Sequence, residues 1–241
     1  MHISPSKLTS LIVAAVLGLS AGCASGDSSP EYGTPAAPWD LVIEGGRVVD
    51  GTGSAWFYGD VAVVGDRIAR VTPVGGLAEA EARERVDARG LVVAPGFIDI
   101  QSHSRGAFLD GDGRIVSKVT QGITTEIMGE GSTNAPMNAL TLAEASDIVS
   151  PELQQLATDF TGRGGFARWL ETMQARGASA NLGSFVGATT IRTYGMGTAM
   201  GRAPQPALDS MTKAVGWAME EGAFGIASAL IYPPGNYADT E

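Results

Sequence analysis

The sequence predicts an α/β protein in two parts, a short β-rich module followed by alternating strands and helices. In residues 40–94, short runs rich in β-branched residues alternate with turn residues, which is typical of small sheet modules. From residue 95 onward, apolar strand-like runs are separated by segments with helical periodicity. This alternation favours right-handed βαβ units and a parallel sheet.

The first 39 residues predict export rather than a folded domain. Lys7 precedes an apolar stretch at 11–19 that is too short for a membrane span and ends in small residues before Cys23. We therefore expect a lipoprotein-type signal peptide over 1–22, lipidation of Cys23, and a membrane anchor on the periplasmic or cell-surface side. The alternative is a plain secretory signal in which Cys23 is incidental. Residues 23–39, rich in Ser, Gly, Pro and Ala, predict a flexible tether.

Charge and cysteine content exclude several classes of function. The 241 residues carry a formal net charge of −10, so the basic stripe that neutralises phosphates is lacking and we expect no nucleic-acid partner. The single Cys excludes an internal disulfide framework and an all-cysteine zinc site.

The β-rich module contains six short runs of strand character. They are 41–43, 47–49, 60–64, 67–71, 86–88 and 91–93. Gly65-Asp66, between the third and fourth runs, is a two-residue hairpin signal. We expect a small antiparallel sheet with turns between all the runs.

The first strand of the second part carries the strongest signal for a functional site. Residues 94–104 run from a Pro-Gly break through an apolar segment to a polar end that includes His103, as a buried parallel strand does when it delivers side chains to the rim of a sheet. The next strand, 124–128, is followed by Glu130 between two glycines. Because carboxyl ends of parallel strands meet at one edge, we expect His103 and Glu130 to be neighbours.

Imidazole and carboxylate groups both bind zinc, so this pair is a candidate part of a zinc site. Zinc takes three or four ligands, and the other ligands would have to come from elsewhere. The alternatives are a packing or hydrogen-bonding histidine at His103 and an exposed loop carboxylate at Glu130.

The remaining pattern continues the alternation of strands and helices. Strands are expected at 180–186 and 223–227, and helices at 115–119, 166–173 and 208–219. Four strands are half of a closed eight-stranded barrel. The final residues, 239–241, look like the opening of a further helix, so we expect the natural sequence to continue past Glu241.

Several motifs together resemble the metal-dependent amidohydrolases, most closely the N-acyl-D-amino-acid deacylases (D-aminoacylases). They are LVIEGGRVVDGTG at 41–53, VAPGFID at 93–99, QGITT at 121–125, GAFG at 222–225 and IYPPG at 231–235. The resemblance implies that 95–241 is the N-terminal part of a (β/α)8 TIM-like barrel and that 40–94 is part of a small β-sandwich. It also implies a zinc cofactor and hydrolysis of a linear amide bond in N-acyl-D-amino acids.

The family's metal residues carry over unevenly. The family has His-x-His at the end of the first strand, where this chain has Gln101 and His103, and a ligating Cys where this chain has Glu130. A carboxylate can replace a thiolate on zinc, so we expect at most one tightly held zinc, with His103 and Glu130 as metal residues. The remaining histidine ligands and the general-base Asp are expected beyond Glu241.

The resemblance also suggests substrate-side residues. Tyr232 matches a family position near the substrate, although a ring packed under the Pro-Pro loop is an equal alternative, and Gln101 is a second candidate. Ala188 stands where the family often has a histidine. Arg192 follows the third strand and is expected to be an exposed structural residue rather than a ligand for a substrate carboxylate.

The expected activity is zinc-dependent deacylation of small N-acyl amino acids, with residues 1–241 alone inactive. One alternative is another amidohydrolase of the same superfamily, acting on cyclic amides or dipeptides. The other is a degenerate, non-catalytic binding lipoprotein, which Gln101 and Ala188 favour.

Overall fold

The computed structural model describes residues 38–145 and 150–239. The predicted signal peptide, Cys23 and nearly all of the predicted tether lie outside the described residues, as do Thr240 and Glu241 of the predicted further helix. The described chain divides into two compact units, one ending at Ala94 and the other beginning at Pro95.

The unit ending at Ala94 is a five-stranded mixed sheet. Its strands are β1 (Trp39–Val48), β2 (Phe57–Val64), β3 (Arg67–Pro73), β4 (Ala82–Asp87) and β5 (Val92–Val93). β2 is antiparallel to β1 and β3, whereas β4 and β5 both run parallel to β1. The expectation of an antiparallel sheet was wrong. Residues 74–81 carry the chain from β3 back across the sheet, so that β4 pairs with β1 in the parallel direction. The predicted hairpin turn at Gly65-Asp66 is confirmed by the β2–β3 pairing.

β1 is one continuous strand, and the turn predicted within it is a bulge. The register with β2 shifts between Ile43 and Gly46. Gly45 takes a left-handed backbone with φ of 70°, and its N–H donates to the buried Asp60 carboxylate at 2.9 Å. A Cβ on Gly46 would lie 2.4 Å from a methyl group of Val93. The two glycines therefore bend the strand against close neighbours without ending it.

The unit beginning at Pro95 contains parallel strands, as predicted. β6 (Phe97–Ser102), β7 (Ile123–Met128) and β8 (Asn181–Ser184) form a sheet in that order, and β9 (Val186–Gly187) pairs in parallel with β10 (Ile226–Ala227). The strand predicted over 180–186 is thus split, because Phe185 interrupts it and Val186 pairs with a different neighbour.

Seven α-helices are assigned among the described residues. They are α1 (Arg105–Leu109), α2 (Val116–Val119), α3 (Ala139–Ala145), α4 (Pro151–Asp159), α5 (Gly165–Arg176), α6 (Ala188–Met196) and α7 (Gln205–Glu220). The helices predicted from periodicity, α2, α5 and α7, are confirmed. α6 was not predicted because three of its nine residues are Thr and one is Gly, which are weak helix formers. Within the described ranges, no helix has both the length and the apolar character needed to cross a membrane.

The core of this unit is built around α5. Phe166, Trp169 and Met173 are buried along one face of that helix, and the rings of Phe166 and Trp169 meet edge to face at 5.4 Å. Burial of β6 was predicted wrongly: Phe97, Ile98 and Ile100 are 60%, 61% and 74% exposed. β6 lies at the edge of its three-stranded sheet, and no layer in the described part of this unit covers these side chains.

Glu221, just after α7, caps the start of α5. Its carboxylate accepts backbone N–H bonds from Gly164 at 2.5 Å, Phe166 at 2.9 Å and Ala167 at 3.3 Å. These N–H groups have no partner within their own helix, and a negative charge there is also favoured by the helix dipole. A residue distant in sequence therefore performs the task of an N-cap.

Glu221→Ala is expected to lower the free energy of unfolding by about 1–2 kcal/mol, the size of a lost N-cap. Urea denaturation followed by circular dichroism measures this. The matched control is Glu220→Ala, since Glu220 only joins Arg163 in an exposed ion pair at 3.0 Å and such pairs contribute little. Equal losses in the two variants would contradict a capping role for Glu221.

Candidate functional site

His103 and Glu130 meet at the carboxyl ends of two neighbouring parallel strands. His103 directly follows β6, and Glu130 lies two residues after β7, with Ser102 opposite Met128 in the strand register. The Nε2 atom of His103 is 3.1 Å from the Oε2 atom of Glu130. The His103 side chain is 68% exposed and that of Glu130 is 32% exposed. The structure thus brings together the two residues that the sequence placed at one sheet edge.

The glycines around Glu130 allow this approach. Gly129 and Gly131 have φ values of 98° and 71°, in the left-handed region that disfavours other residues. A Cβ on Gly129 would lie 2.2 Å from the carbonyl oxygen of Phe185. The chain can therefore turn sharply after β7 and present the carboxylate of Glu130 to His103.

A buried carboxylate holds the residues on both sides of His103. Glu126, on β7, is fully buried. Its Oε2 atom accepts a hydrogen bond from Ser102 Oγ at 2.8 Å, and its Oε1 atom accepts one from Ser104 Oγ at 3.1 Å. Lys118 Nζ lies 3.8 Å from Oε1. We call this arrangement of Glu126, Ser102 and Ser104 the serine clamp. Sequence reasoning missed it, although a charged residue within a predicted buried strand is costly unless it is paired.

Lys118 also pairs with Asp99 on β6. The ammonium group donates to Asp99 Oδ2, and the backbone N–H of Gln101 donates to Oδ1 at 3.0 Å. The hydrogen bond from Lys118 is the main cause that holds the pKa of the Asp99 carboxyl below its ordinary value, and the Gln101 N–H adds to it. The same contact raises the pKa of Lys118.

The depressed pKa of Asp99 predicts acid sensitivity. The unfolded chain binds a proton at Asp99 near pH 4, whereas the folded chain does so only at lower pH, so stability is lost as pH falls below about 5. In urea denaturation between pH 3 and 6, Asp99→Asn should flatten this dependence. Lys118→Met should flatten most of it as well, because it removes the main cause of the shift. A wild-type pH dependence in both variants would contradict this assignment.

Gln101 and Tyr232, the predicted substrate-side residues, lie exposed. Gln101 is held through its backbone N–H to Asp99, and Tyr232 is 64% exposed in the loop before Pro233. The alternative of a Tyr232 ring packed under the Pro-Pro loop is therefore wrong. Among the described residues, neither side chain forms a hydrogen bond with His103 or Glu130, and their role at the substrate stays a prediction.

Arg192 was expected to be exposed and is instead 5% exposed. Its Nη2 atom donates to the carbonyl oxygens of Ala199 at 3.1 Å and Gly201 at 2.7 Å, and its guanidinium lies 6.0 Å from the centre of the Tyr237 ring. Arg192 therefore fastens the segment after α6. These partners could not be predicted from residue types, because they are backbone carbonyls.

The His103–Glu130 pair supplies donor types that suit zinc, but too few of them. Zinc binds imidazole nitrogen and carboxylate oxygen and takes four ligands in most sites. Within residues 38–145 and 150–239, no group of three or more His, Cys, Asp or Glu side chains is placed to hold a metal ion. The pair fits part of a zinc site that needs further ligands.

Comparison with known proteins identifies the family. No family model matches the chain. The chain is 34% identical over 204 residues to the N-acyl-D-aspartate deacylase of Alcaligenes xylosoxydans xylosoxydans, an alignment that covers 84% of this chain and 39% of that protein. The chain belongs to the N-acyl-D-amino-acid deacylase family. The resemblance carried by the sequence motifs is thereby confirmed.

Solved structures of the deacylase family agree with the described fold. A D-aminoacylase described as having a binuclear metal centre matches with a TM-score of 0.69 and 32% identity over 84% of this chain and 41% of that one. The N-acyl-D-glutamate deacylase of Bordetella bronchiseptica, complexed with zinc and a phosphonate mimic of the tetrahedral intermediate, matches with a TM-score of 0.69 and 28% identity. The chain spans about two fifths of the length of these deacylases.

Proposed function

We propose that this chain is part of a zinc-dependent hydrolase that removes the acyl group from N-acyl-D-amino acids. The observation that carries the proposal is the 3.1 Å contact between His103 and Glu130 at the ends of paired parallel strands. In parallel α/β folds the carboxyl ends of strands form the active site. The deacylase relatives support the substrate class.

In this proposal His103 and Glu130 hold the zinc together with ligands from outside the described residues. When bound, zinc supplies an acidified water and polarises a carbonyl group. The serine clamp keeps the segment around His103 fixed, so that the imidazole is presented at the sheet edge. The two glycines beside Glu130 keep its carboxylate within reach of the same place.

We also propose the finer architecture that the family resemblance implies. The unit from Pro95 onward would be the N-terminal part of a (β/α)8 barrel, and the unit ending at Ala94 would be part of a small β-sandwich. The exposed side chains of Phe97, Ile98 and Ile100 on β6 support the barrel, because a closed barrel would bury them in its interior or beneath its surrounding helices. Small-molecule N-acyl amino acids would then bind at the carboxyl ends of the strands.

The proposed location is outside the cytoplasm, on a lipid anchor at Cys23. The apolar stretch and the small residues before this cysteine support the proposal. Mass spectrometry of protein extracted from membranes with detergent should find acylated Cys23. A freely soluble protein with an unmodified Cys23 would contradict the anchor.

Metal analysis and substrate comparison of the full-length protein test the proposed activity. We expect about one zinc ion per chain, loss of activity with a chelator, and hydrolysis of N-acetyl-D-amino acids in preference to their L-enantiomers. Faster hydrolysis of a cyclic amide such as a hydantoin would favour the other amidohydrolase activity. A protein that holds no zinc and hydrolyses neither would support the binding lipoprotein, which Gln101 and Ala188 favour.

A further inference from the structure

Within the unit that begins at Pro95, a cavity is lined by Arg105 and Ser132, which belong to the segments that follow His103 and Glu130. It encloses about 290 Å³. Its walls come from the start of α1, the segment after β7, α3, α6 and the Pro233-Pro234 loop. A cavity of this size, only just below the usual range for small-molecule sites, suits a compact ligand.

Much of one wall is rigid because its polar groups are already paired. Thr190 Oγ1 accepts the backbone N–H of Thr133 at 2.8 Å and donates to the carbonyl oxygen of Thr133 at 2.9 Å. Thr133 Oγ1 donates in turn to the carbonyl oxygen of Ala135 at 2.6 Å. These two hydroxyl groups shape the wall of the cavity. Because both already have hydrogen-bond partners in the protein, they are not the groups expected to bind a ligand.

Arg105 is different, because it brings a positive charge whose donors are mostly unused. It is the only cationic residue in the described lining of the cavity. Its Nη1 atom donates to the carbonyl oxygen of Ser132, and no acidic side chain among the described residues lies within ion-pair distance of it. Burial lowers the pKa of the guanidinium group. A guanidinium has five N–H donors in a planar fork that matches a carboxylate.

Two residues that line the cavity are close in sequence to the His103–Glu130 pair. Arg105 lies two residues after His103, and Ser132 lies two residues after Glu130. The same two strand-end segments are therefore linked twice, once by the imidazole–carboxylate contact and once by the guanidinium–carbonyl contact. A small ligand that contacts Arg105 would lie close to the proposed metal residues.

We propose that this cavity binds the carboxylate of the amide substrate, with Arg105 as the residue that pairs with it. The proposal rests on the proposed function for the nature of the substrate. A free carboxylate is the feature that distinguishes N-acyl amino acids from neutral amides, and a bidentate pair with Arg105 would select for it.

Glu144 is the one acidic residue in the described lining of the cavity. Its negative charge provides a second test of the charge of the ligand. Glu144 lies exposed on α3 and has no ion pair with Arg105 in the described structure. A carboxylate ligand would be repelled by Glu144, whereas a cationic ligand would be attracted to it. Removing this charge should therefore tighten the binding of a carboxylate.

The first experiment measures binding of a probe that cannot be deacylated. Calorimetric titration of the full-length protein with 4-methylpentanoate and with the neutral 4-methylpentan-1-ol compares wild type with Arg105→Gln. We expect Arg105→Gln to weaken binding of the acid by about 10- to 100-fold, as for a lost hydrogen bond to a charged group, and to leave the alcohol unchanged. The affinity of Arg105→Lys for the acid should lie between those of wild type and Arg105→Gln, because lysine keeps the positive charge but lacks the planar guanidinium group. Glu144→Gln should bind the acid more tightly.

The control is Arg114→Gln, which removes an exposed arginine paired with Asp112 and should leave binding unchanged. Equal affinity for the acid in wild type, Arg105→Gln and Arg105→Lys would overturn the carboxylate site, as would weaker binding in Glu144→Gln. If Arg105→Gln fails to fold, Arg105→Lys and Glu144→Gln decide the question.

Kinetics separate this inference from the proposed function. In an active enzyme, Arg105→Gln should lower kcat/KM for N-acetyl-D-leucine by about 10- to 100-fold and should lower that for N-acetyl-D-leucinamide much less, because the amide has no carboxylate to pair with the guanidinium. Equal losses for the acid and the amide would overturn the carboxylate site. Carboxylate binding that depends on Arg105 in a protein without deacylase activity would uphold the site and refute the proposed function.

Discussion

Replacing His103 with alanine is expected to remove zinc from the protein and lower its deacylase activity by more than about 100-fold. The loss should exceed the 10- to 100-fold effect of residues that only support a ligand, because His103 is proposed to contact the metal directly. Its imidazole is exposed at the end of β6, and among the described residues its ring has one hydrogen-bond partner, Glu130, so the substitution should cost little stability. Zinc content measured by mass spectrometry and turnover of N-acetyl-D-amino acids check the two effects.

Glu130 offers a sharper version of the same test. Glu130→Ala should also lose zinc, whereas Glu130→Cys should keep it, since a thiolate and a carboxylate are both zinc ligands. Glu84→Ala, at an exposed position on β4, serves as a surface control. If Glu130→Ala retained zinc and activity, or if Glu130→Cys lost zinc while folded, Glu130 would not be a ligand.

The contact between His103 and Glu130 could be predicted because it depends on a general property of parallel sheets. Both residues lie within two positions of the end of an apolar run of strand character, and consecutive strands in βαβ units usually pair. The burial of β6 could not be predicted in the same way. Phe97 and Ile98 have the composition of a buried strand, but their exposure depends on which other elements cover the sheet.

The serine clamp was not predictable because it depends on register as well as on strand order. Ser102 and Ser104 are ordinary polar residues in the sequence, and Glu126 is one acidic residue among many. Only the pairing of β6 with β7 places both hydroxyl groups on one carboxylate. Arg192 was misjudged for a related reason, since its backbone partners leave no trace in the sequence.

Glu126→Ala is expected to produce the largest loss of stability of the substitutions considered, about 3 kcal/mol in the free energy of unfolding. Removing one partner of a buried charged pair typically costs about 3–5 kcal/mol. The lower end of that range applies here because Lys118 keeps its ion pair with Asp99. Here Ser102 and Ser104 would lose their shared acceptor, and Lys118 would lose the nearby negative charge of Glu126. Urea denaturation measures the loss.

Glu126→Gln separates the charge of the clamp from its shape. The amide fills the same space, and a serine hydroxyl can rotate to accept from it, so the loss of stability should be smaller than in Glu126→Ala. Because Ser102 and Ser104 flank His103, zinc affinity should fall in both variants, by about 10- to 100-fold in Glu126→Ala, as for other supports of a metal ligand. Full zinc affinity in a folded Glu126→Ala protein would mean that the clamp stabilises the strand ends without orienting His103. Zinc affinity should fall most in Glu126→Ala, less in Glu126→Gln, and partly in Ser104→Ala. That order would show that the buried carboxylate of Glu126 orients the exposed imidazole of His103.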